Sequence, residues 1–372
     1  MQKIKNQEEL LFFDINQNYK EWELLASRLE LKKKSVFSIP AFYKIYKDVF
    51  DLNSGCFFLL INDSFIYYPF LIKEIKNSCL GNEIFFDIYQ PDGLGGMYCN
   101  VIDEELVKKF QYHFKKFCEK KKIISEFNKL NPLCDYLKIY PTKNIFYEKS
   151  TVSVDLNLGF DDILKNIKPK TLIEFKKSLK ENFYFEVYAK FLSLNLKEKE
   201  LPFTSKAYAL YLETMKKNNA KIIYPKIFFE KLLKDLPENS ALYYTTLPLN
   251  GSGLSGDNIV NWELIVYDQN NSYSFFAASD SNYNHLHCNR FLKIKMLEFM
   301  MNNNIKKYFL GGGYKDKDGI YKYKKNYAHP SNPLDFFVTK TIYNKKIFDN
   351  LCNSAILKNK NIPINFFQKY RY

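Results

Sequence analysis

The stretch Tyr308-Phe309-Leu310-Gly311-Gly312-Gly313 is the strongest local signal in this sequence. It predicts a buried strand over residues 306–310 that runs directly into three consecutive glycines. Glycines at a strand end let the backbone approach a ligand or another strand closely. Downstream, Tyr321 and Tyr323 with Lys324 would place aromatic faces and a cation near that opening. Taken alone, these residues are compatible with a ligand site, but also with a bulged strand end beside a run of solvated lysines.

The segments around this stretch predict helices and antiparallel strands in a repeated order, read from apolar periodicity. The predicted strands cover residues 56–61, 64–72, 84–89, 122–128, 151–156, 241–246, 259–267, 272–278 and 306–310. The predicted helices cover residues 21–31, 41–50, 104–121, 171–180, 207–218, 226–236 and 289–302, with a further helix from Asp161 that Pro169 interrupts. We expect an α+β fold of two tandem domains, residues 1–150 and 151–330, with mixed, mostly antiparallel sheets flanked by helices. The segment 331–372 is expected to return to the first domain.

Four blocks of the sequence, in this order, resemble one known family. The first is the loop DIYQPDGLGG at residues 87–96, and the second is SEFNKLNPL at 125–133. The third is a helical pair with YLETM at 211–215, followed by Tyr224 and a Phe-Phe pair. The fourth is the triple-glycine stretch followed by DGIYKYKKNY at 318–327. Together they resemble the FemAB/FemX-like branch of the GNAT acyltransferase superfamily.

The resemblance implies two GNAT-like domains with the acceptor in the cleft between them, and transfer of an acyl or aminoacyl group to an amine. Lys324 stands at the family's lysine near the reacting carbonyl, and Tyr323 at its aromatic neighbour. Tyr89 and Asp92 stand in the first-domain loop that contacts the acceptor. The candidate substrate-binding residues are Tyr89, Asp92, Lys176, Gly311, Gly312, Gly313 and Tyr323.

The chain departs from the family pattern at two places that concern anionic groups. The usual acetyl-CoA pyrophosphate loop is replaced by His287-Cys288-Asn289-Arg290. The helix N-terminus there could still receive a phosphate, so Asn289 and Arg290 are the candidate donor-binding residues. The family's basic helix keeps charge at Lys176 and Lys177, but its leading arginine is Leu172 here. This loss argues against the family's usual recognition of a pyrophosphate-bearing acceptor.

Acyl transfer sets the chemistry that the candidate catalytic residues must perform. Amine attack on a thioester or ester carbonyl develops an oxyanion, and the amine must lose a proton. Lys324 is the candidate for stabilising that oxyanion or a phosphate. Glu263 lies in the predicted strand at 261–265 and is the candidate base, because its apolar neighbours would raise the pKa of its carboxyl. An exposed sheet position is an equally good interpretation of Glu263.

Composition limits the other classes of function. The chain has 372 residues, enough for two domains, and 46% of them are hydrophobic, which excludes wholesale disorder. Its net charge of +14 comes almost entirely from lysine, whereas nucleic-acid binders usually recruit arginine. Seven scattered cysteines and four histidines predict neither a disulfide framework nor a metal site. No signal peptide and no run of about 20 apolar residues is visible, so we expect a cytoplasmic protein.

Three functions remain open at this stage. The favoured one is an N-acyltransferase that uses an acyl-CoA-type donor, with no tightly bound cofactor, and modifies an amine of a cell-envelope or glycan precursor. The second is an aminoacyltransferase that draws its residue from aminoacyl-tRNA and acts on a peptidoglycan precursor peptide. The third is a non-catalytic basic protein that binds nucleic acid, for which the aromatic residues near Lys324 would stack on bases. The sequence predicts no oligomeric state.

Overall fold

The structure is a computed structural model that describes residues 8–76, 80–91, 94–134, 137–189, 203–247, 258–329, 333–359 and 361–372. Its strands, in chain order, are β1 (Glu8–Asp14), β2 (Asn53–Ile61), β3 (Ser64–Glu74), β4 (Phe86–Tyr89), β5 (Tyr98–Cys99), β6 (Ile123–Lys129), β7 (Ile145–Asp155), β8 (Tyr184–Tyr188), β9 (Ser240–Thr246), β10 (Ile259–Tyr267), β11 (Asn271–Ser279), β12 (Lys307–Gly311) and β13 (Pro333–Ile342). Its helices are α1 (Tyr19–Arg28), α2 (Leu31–Lys34), α3 (Pro40–Phe50), α4 (Glu104–Lys120), α5 (Phe160–Asn166), α6 (Pro169–Ser178), α7 (Ser205–Lys217), α8 (Lys226–Asp235), α9 (Cys288–Asn302), α10 (Gly319–Lys325) and α11 (Lys345–Lys358). The predicted α+β class is confirmed.

The chain divides into two compact units. Unit 1 contains the described residues of Met1–Leu29, Phe37–Glu148 and Phe336–Tyr372, and unit 2 those of Glu30–Val36 and Lys149–Asp335. The strand order is β1-β2-β3-β4-β6-β13 in unit 1, with β5 beside β3, and β7-β12-β11-β10-β9-β8 in unit 2. Most neighbours are antiparallel; β4 and β6 form a parallel pair in unit 1, and β11 and β12 form one in unit 2.

Unit 1 is organised around the hairpin of β2 and β3. The strands pair in register from Asn53 opposite Ile72 to Ile61 opposite Ser64. The two-residue turn between them begins at Asn62, whose φ of 55° is the left-handed conformation that such turns require. Helix α4 covers this sheet with an apolar face that repeats every four residues, formed by Leu106, Phe110, Phe114 and Cys118. The predicted hairpin is therefore confirmed.

A carboxyl group is buried in unit 1 without a cation among its described neighbours. Glu126 on β6 is 1% exposed and accepts a hydrogen bond from the Tyr68 hydroxyl at 2.9 Å. It also accepts hydrogen bonds from Tyr343 and from the side-chain amide of Asn128. Burial raises the pKa of the Glu126 carboxyl, and these hydrogen bonds limit the rise.

The last residues of the chain are tied to β4 of unit 1 by a second buried carboxyl. The Arg371 guanidinium lies 2.7 Å from an oxygen of Asp87, which has no exposed surface. The Tyr370 hydroxyl donates to the same carboxylate at 2.9 Å, and Arg371 also donates to the carbonyl of Lys73 at 3.0 Å. Burial raises the pKa of Asp87, and Arg371 opposes that rise. The ion pair therefore fastens the chain terminus to the sheet.

Unit 2 buries its central strand on both faces. Every residue of β10 is buried, which explains its nearly continuous apolar run. On one face the Trp262 indole donates to the carbonyl of Ala207 in α7 at 2.9 Å. Helix α9 covers the other face and buries Phe291, Leu292, Ile294, Met296, Leu297 and Met300. The all-round apolar helix predicted over residues 289–302 is confirmed.

The parallel pair of β11 and β12 shapes the edge where the triple glycine lies. Their ladder joins Asn271–Tyr273 to Lys307–Phe309. Beyond it, β11 continues to Ser279 while β12 ends at Gly311, and within the described residues no further β12 residue pairs with β11. The two strands therefore share a ladder only at their amino-terminal ends. Gly311 is the last residue of β12, and Gly312 and Gly313 follow it.

Candidate functional site

All three glycines are required by local geometry, since a Cβ atom on Gly312 would lie 2.9 Å from the backbone carbonyl oxygen of Ser150. Gly311 has a φ of 75°, which side-chain-bearing residues rarely adopt. A Cβ atom on Gly313 would lie 1.7 Å from Oδ1 of Asp318, which leaves no room for one. The backbone at the end of β12 is therefore closely packed against the residues that follow it.

Asp318 holds the loop between the glycines and α10. Its Oδ1 accepts a hydrogen bond from the backbone N–H of Tyr321 at 2.9 Å and so caps α10. Its Oδ2 accepts from the N–H groups of Tyr314 at 2.8 Å and Lys315 at 3.1 Å. These backbone hydrogen bonds, that of Tyr321 first, lower the pKa of Asp318. The cap fixes the direction in which α10 leaves the triple glycine.

Lys324 on α10 points back at the triple glycine. Its Nζ donates to the carbonyl of Gly312 at 2.8 Å and would lie 3.5 Å from a Cβ on Gly311. Burial lowers the pKa of Lys324 to about 8, and the nearby ammonium of Lys293 adds to the effect. A second ammonium, that of Lys149, donates to the carbonyl of Gly313 at 2.6 Å. Two lysines thus bind consecutive carbonyls of this edge.

Glu263 is not the free base that the sequence predicted. It is 3% exposed and forms an ion pair with Lys293 of α9, and the Tyr308 hydroxyl also donates to it. The Ser274 hydroxyl donates to it at 2.5 Å. Burial alone would raise the pKa of Glu263, but Lys293 and these hydroxyls lower it below its ordinary value. The expectation of a raised pKa is therefore wrong, because the apolar neighbours in sequence are not the groups that face the carboxylate.

Lys293, Lys149 and Tyr308 are site residues that sequence reasoning missed. Lys293 is 6% exposed and donates to the Tyr308 hydroxyl at 2.7 Å as well as to Glu263. Lys293 stands in a helix that is apolar on nearly all sides, and a lysine buried there needs a partner for its charge. This conflict between charge and predicted burial is the signal in the sequence that points to Lys293. Lys149 precedes a predicted strand and gave no comparable signal.

Tyr323 and Arg290 belong to one stacked cluster. The Arg290 guanidinium lies 4.8 Å from the centroid of the Tyr323 ring and 2.9 Å from the Tyr327 hydroxyl. It also forms an ion pair with Glu174 of α6 at 2.7 Å. Arg290 is therefore already bound within unit 2. Its guanidinium packs on the ring of Tyr323, the residue that precedes Lys324. Its predicted role toward a donor phosphate stays a prediction.

Asn289 lies in the first turn of α9. Its side-chain oxygen accepts from Asn261 at 3.0 Å, and its amide donates to Asn284 at 3.4 Å. The side-chain oxygen of Asn261 is buried without a hydrogen-bond partner. Beside it, burial raises the pKa of the Cys288 thiol to about 11, so this cysteine is unreactive at neutral pH.

The remaining candidates lie elsewhere or outside the description. Tyr89 is the last residue of β4 in unit 1, with the Lys73 ammonium 5.9 Å from its ring centroid. Lys176 is exposed in the last turn of α6 in unit 2. Asp92 lies outside the described residues. The described residues hold no group of three or more histidine, cysteine, aspartate or glutamate side chains placed to bind a metal ion. Nor does any described helix have the length and apolar character needed to cross a membrane.

Comparison with family models finds no match to this sequence. Comparison with curated protein sequences finds none either. Among solved structures, the crystal structure of FemX matches with a TM-score of 0.63 at 10% identity, covering 91% of this chain and 99% of that one. A tandem GNAT protein from the clavulanic acid biosynthesis pathway matches with a TM-score of 0.47 at 8% identity, covering 89% of this chain and 98% of that one. The C-terminal domain of a putative lysylphosphatidylglycerol synthetase from Agrobacterium fabrum has a TM-score of 0.47 at 10% identity, covering 79% and 85% respectively. The match to FemX shows that this chain has a FemX-like fold, as its motifs predicted.

Proposed function

We propose that this protein is an N-acyltransferase that transfers an acyl group from an acyl-CoA-type donor to an amine of a cell-envelope or glycan precursor. One observation carries the proposal: the Lys324 ammonium is held 2.8 Å from the Gly312 carbonyl, at the open end of β12. A half-buried cation at a backbone edge is suited to a carbonyl oxygen that gains negative charge during reaction.

The reaction follows from the chemistry of a thioester. The neutral acceptor amine attacks the thioester carbon, and the carbonyl oxygen becomes an oxyanion that Lys324 stabilises. The attack forms the carbon–nitrogen bond; the carbonyl then re-forms as the carbon–sulfur bond breaks, and the thiolate leaves. The proton lost by the amine balances the charge of that thiolate. Glu263 is held by Lys293, so its contribution is to fix that lysine beside Lys324.

The strand edge supports the choice of an acyl-CoA-type donor. Within the described residues, β11 has no ladder with β12 beyond Tyr273. A strand edge of this kind can hydrogen-bond an extended chain that carries amide groups, and the pantetheine arm of coenzyme A is such a chain. The side chain of Asn289 in the first turn of α9 offers a further hydrogen-bonding group.

Aminoacyl-tRNA is the second candidate donor, as the resemblance of the motifs to the FemAB/FemX-like branch implies. An ester-linked donor would place the same kind of carbonyl before Lys324, so the geometry of this residue does not separate the two. Only an assay with both kinds of donor distinguishes acyl-CoA from aminoacyl-tRNA. Binding of nucleic acid without turnover is the remaining alternative.

The test is release of free thiol from acetyl-CoA and longer acyl-CoAs in the presence of a panel of amino sugars and peptides, with aminoacyl-tRNA assayed in parallel. We expect thiol release that Lys324→Met lowers by about 10² to 10³ and that Lys234→Met, which changes an exposed lysine of α8, leaves unchanged. Transfer from aminoacyl-tRNA alone would replace the donor. Absence of transfer from every donor, or full activity of Lys324→Met, would overturn the proposal.

A further inference from the structure

Helix α10 has two different faces, and only one of them is used by the triple glycine. Tyr321 and Lys324 point inward, since Tyr321 is buried and Lys324 binds Gly312. The opposite face of the helix is exposed and includes Lys322 and Lys325. This outer face lines a cleft together with the connection between α5 and α6, and the residues around it are Lys165, Asn166, Ile167, Lys168, Pro169, Lys322, Lys325, Asn326, Ala328 and His329.

The cleft is strongly basic. Four of its ten lining residues are lysines and none is acidic. Lysine makes up 52 of the 372 residues (55 basic residues less three arginines), so one or two lysines are expected among ten. Asp162 pairs with Lys165 at 2.7 Å. Among the described residues, no carboxylate pairs with Lys168, Lys322 or Lys325, so three ammonium groups face the same cleft uncompensated.

The shape and the backbone of the cleft add to this charge. Ile167 and Ala328 are buried and give it an apolar floor. The amide of Lys168 donates to the carbonyl of Asn326 at 2.9 Å, which joins the two walls. Helix α6 begins at Pro169, and its ten residues point the positive end of the helix dipole at the cleft. The volume of about 660 Å³ lies within the range of roughly 300–1,000 Å³ that is typical of small-molecule sites.

We infer that this cleft is a second ligand site, which binds the phosphate groups of a nucleotide-sized molecule. Lysine ammonium groups act on phosphate as point charges and need no planar partner. The apolar floor would receive the uncharged part of the ligand. A compact cleft with two walls favours a small phosphate ester over the extended backbone of a nucleic acid. The inference does not rest on the proposed acyl transfer, because neither Lys324 nor the triple glycine lines the cleft.

Isothermal titration of the full chain with inorganic pyrophosphate and with adenosine diphosphate tests this site. Lys322→Gln combined with Lys325→Gln removes two charges from the cleft. The matched control is Lys216→Gln combined with Lys217→Gln, two exposed lysines at the end of α7 in the same unit. Both double variants lower the net charge equally. Circular dichroism and thermal unfolding confirm that each is folded.

We expect wild-type chain to bind both probes and the cleft variant to bind each about tenfold or more weakly, with the control unchanged. Tighter binding of the nucleotide than of pyrophosphate would indicate that the floor holds the base, and equal binding that phosphate alone is recognised. Equal losses in both double variants would overturn the site, because net charge would then explain the binding. So would the failure of wild type to bind either probe.

Discussion

Replacing Lys324 and following turnover against pH tests whether its ammonium acts on the reacting carbonyl. The pKa of Lys324 is lowered from 10.5 to about 8, first by burial and then by the positive charge of Lys293. The lysine therefore loses its charge within the range where the enzyme can be assayed. If the charged form is required, activity is present below this pKa and is lost as the pH rises through it.

The size of the effect follows from that pKa. At pH 7.5 about three quarters of the molecules carry the charge, and at pH 9 about one tenth do, so kcat relative to that of Lys324→Arg should fall about eightfold between the two. Lys324→Met should lose about 10² to 10³ in kcat at pH 7.5, as removal of an oxyanion donor commonly does. Lys324→Arg keeps its charge at pH 9, so its activity, even if lower, should not fall over this range.

Thiol release at saturating donor and acceptor, measured between pH 6.5 and 9.5, gives kcat for the three proteins. The acceptor amine loses its proton as the pH rises, which increases the rate, so a fall through pH 8 cannot come from the amine. A kcat that rises through pH 8 in wild type, together with an inactive arginine variant, would refute the reasoning. Lys324 would then act as a neutral amine, either as base or as nucleophile.

Four further changes test the surroundings of the site and the fold. Glu263→Gln should lower the free energy of unfolding by about 3–5 kcal/mol in urea, because it leaves a buried ammonium unpaired, and a loss below 1 kcal/mol would contradict the buried pair. Glu126→Gln should lower the free energy of unfolding by less than about 1 kcal/mol at pH 7. Because burial raises the pKa of Glu126, wild type should become more stable relative to this variant as the pH falls toward 4.5. A stability difference that does not change with pH would refute this. Gly313→Ala should reduce both the melting temperature and turnover by displacing the carboxylate that caps α10, whereas Gly159→Ala, where a Cβ meets nothing within 4 Å, should reduce neither. Arg371→Met should cost about 3 kcal/mol in the same urea assay, because the buried aspartate of β4 loses its cation, and an unchanged midpoint would show that the chain terminus is not fastened there.

Much of the fold could be predicted because local apolar patterns govern it. The hairpin of β2 and β3 has two alternating or continuous apolar runs around a two-residue turn, and α9 has apolar residues on all sides. Four strands (β1, β5, β8 and β13) and three helices (α2, α10 and α11) were missed. β13 begins with a proline and carries Asp335 and Lys340, so its own pattern does not predict a strand. Its partner is β6, about 200 residues earlier, and that partner is not visible in the local sequence.

The candidate site divides in the same way. Lys324 and the glycines stand in one continuous stretch, so spacing and resemblance were enough to select them. Glu263 was selected for its place in an apolar strand, yet the group that decides its pKa is Lys293, thirty residues away on a helix. Periodicity shows which residues are buried, but it does not show which buried charges meet. That pairing depends on how a helix crosses a sheet.

The charges around the triple glycine explain why this edge suits a reaction that develops negative charge. Lys149, Lys293 and Lys324 all act on the same region, and Glu263 is the buried carboxylate that balances one of them. An excess of partly buried positive charge costs stability unless an anion compensates it. The lowered pKa of Lys324 is the direct sign of that cost. Lys324 donates to the backbone carbonyl of Gly312, and a carbonyl carries only part of a charge. An oxyanion forming at this edge would supply the missing negative charge, so the interaction becomes stronger as the reaction proceeds, which is the condition for lowering a barrier rather than merely binding a substrate.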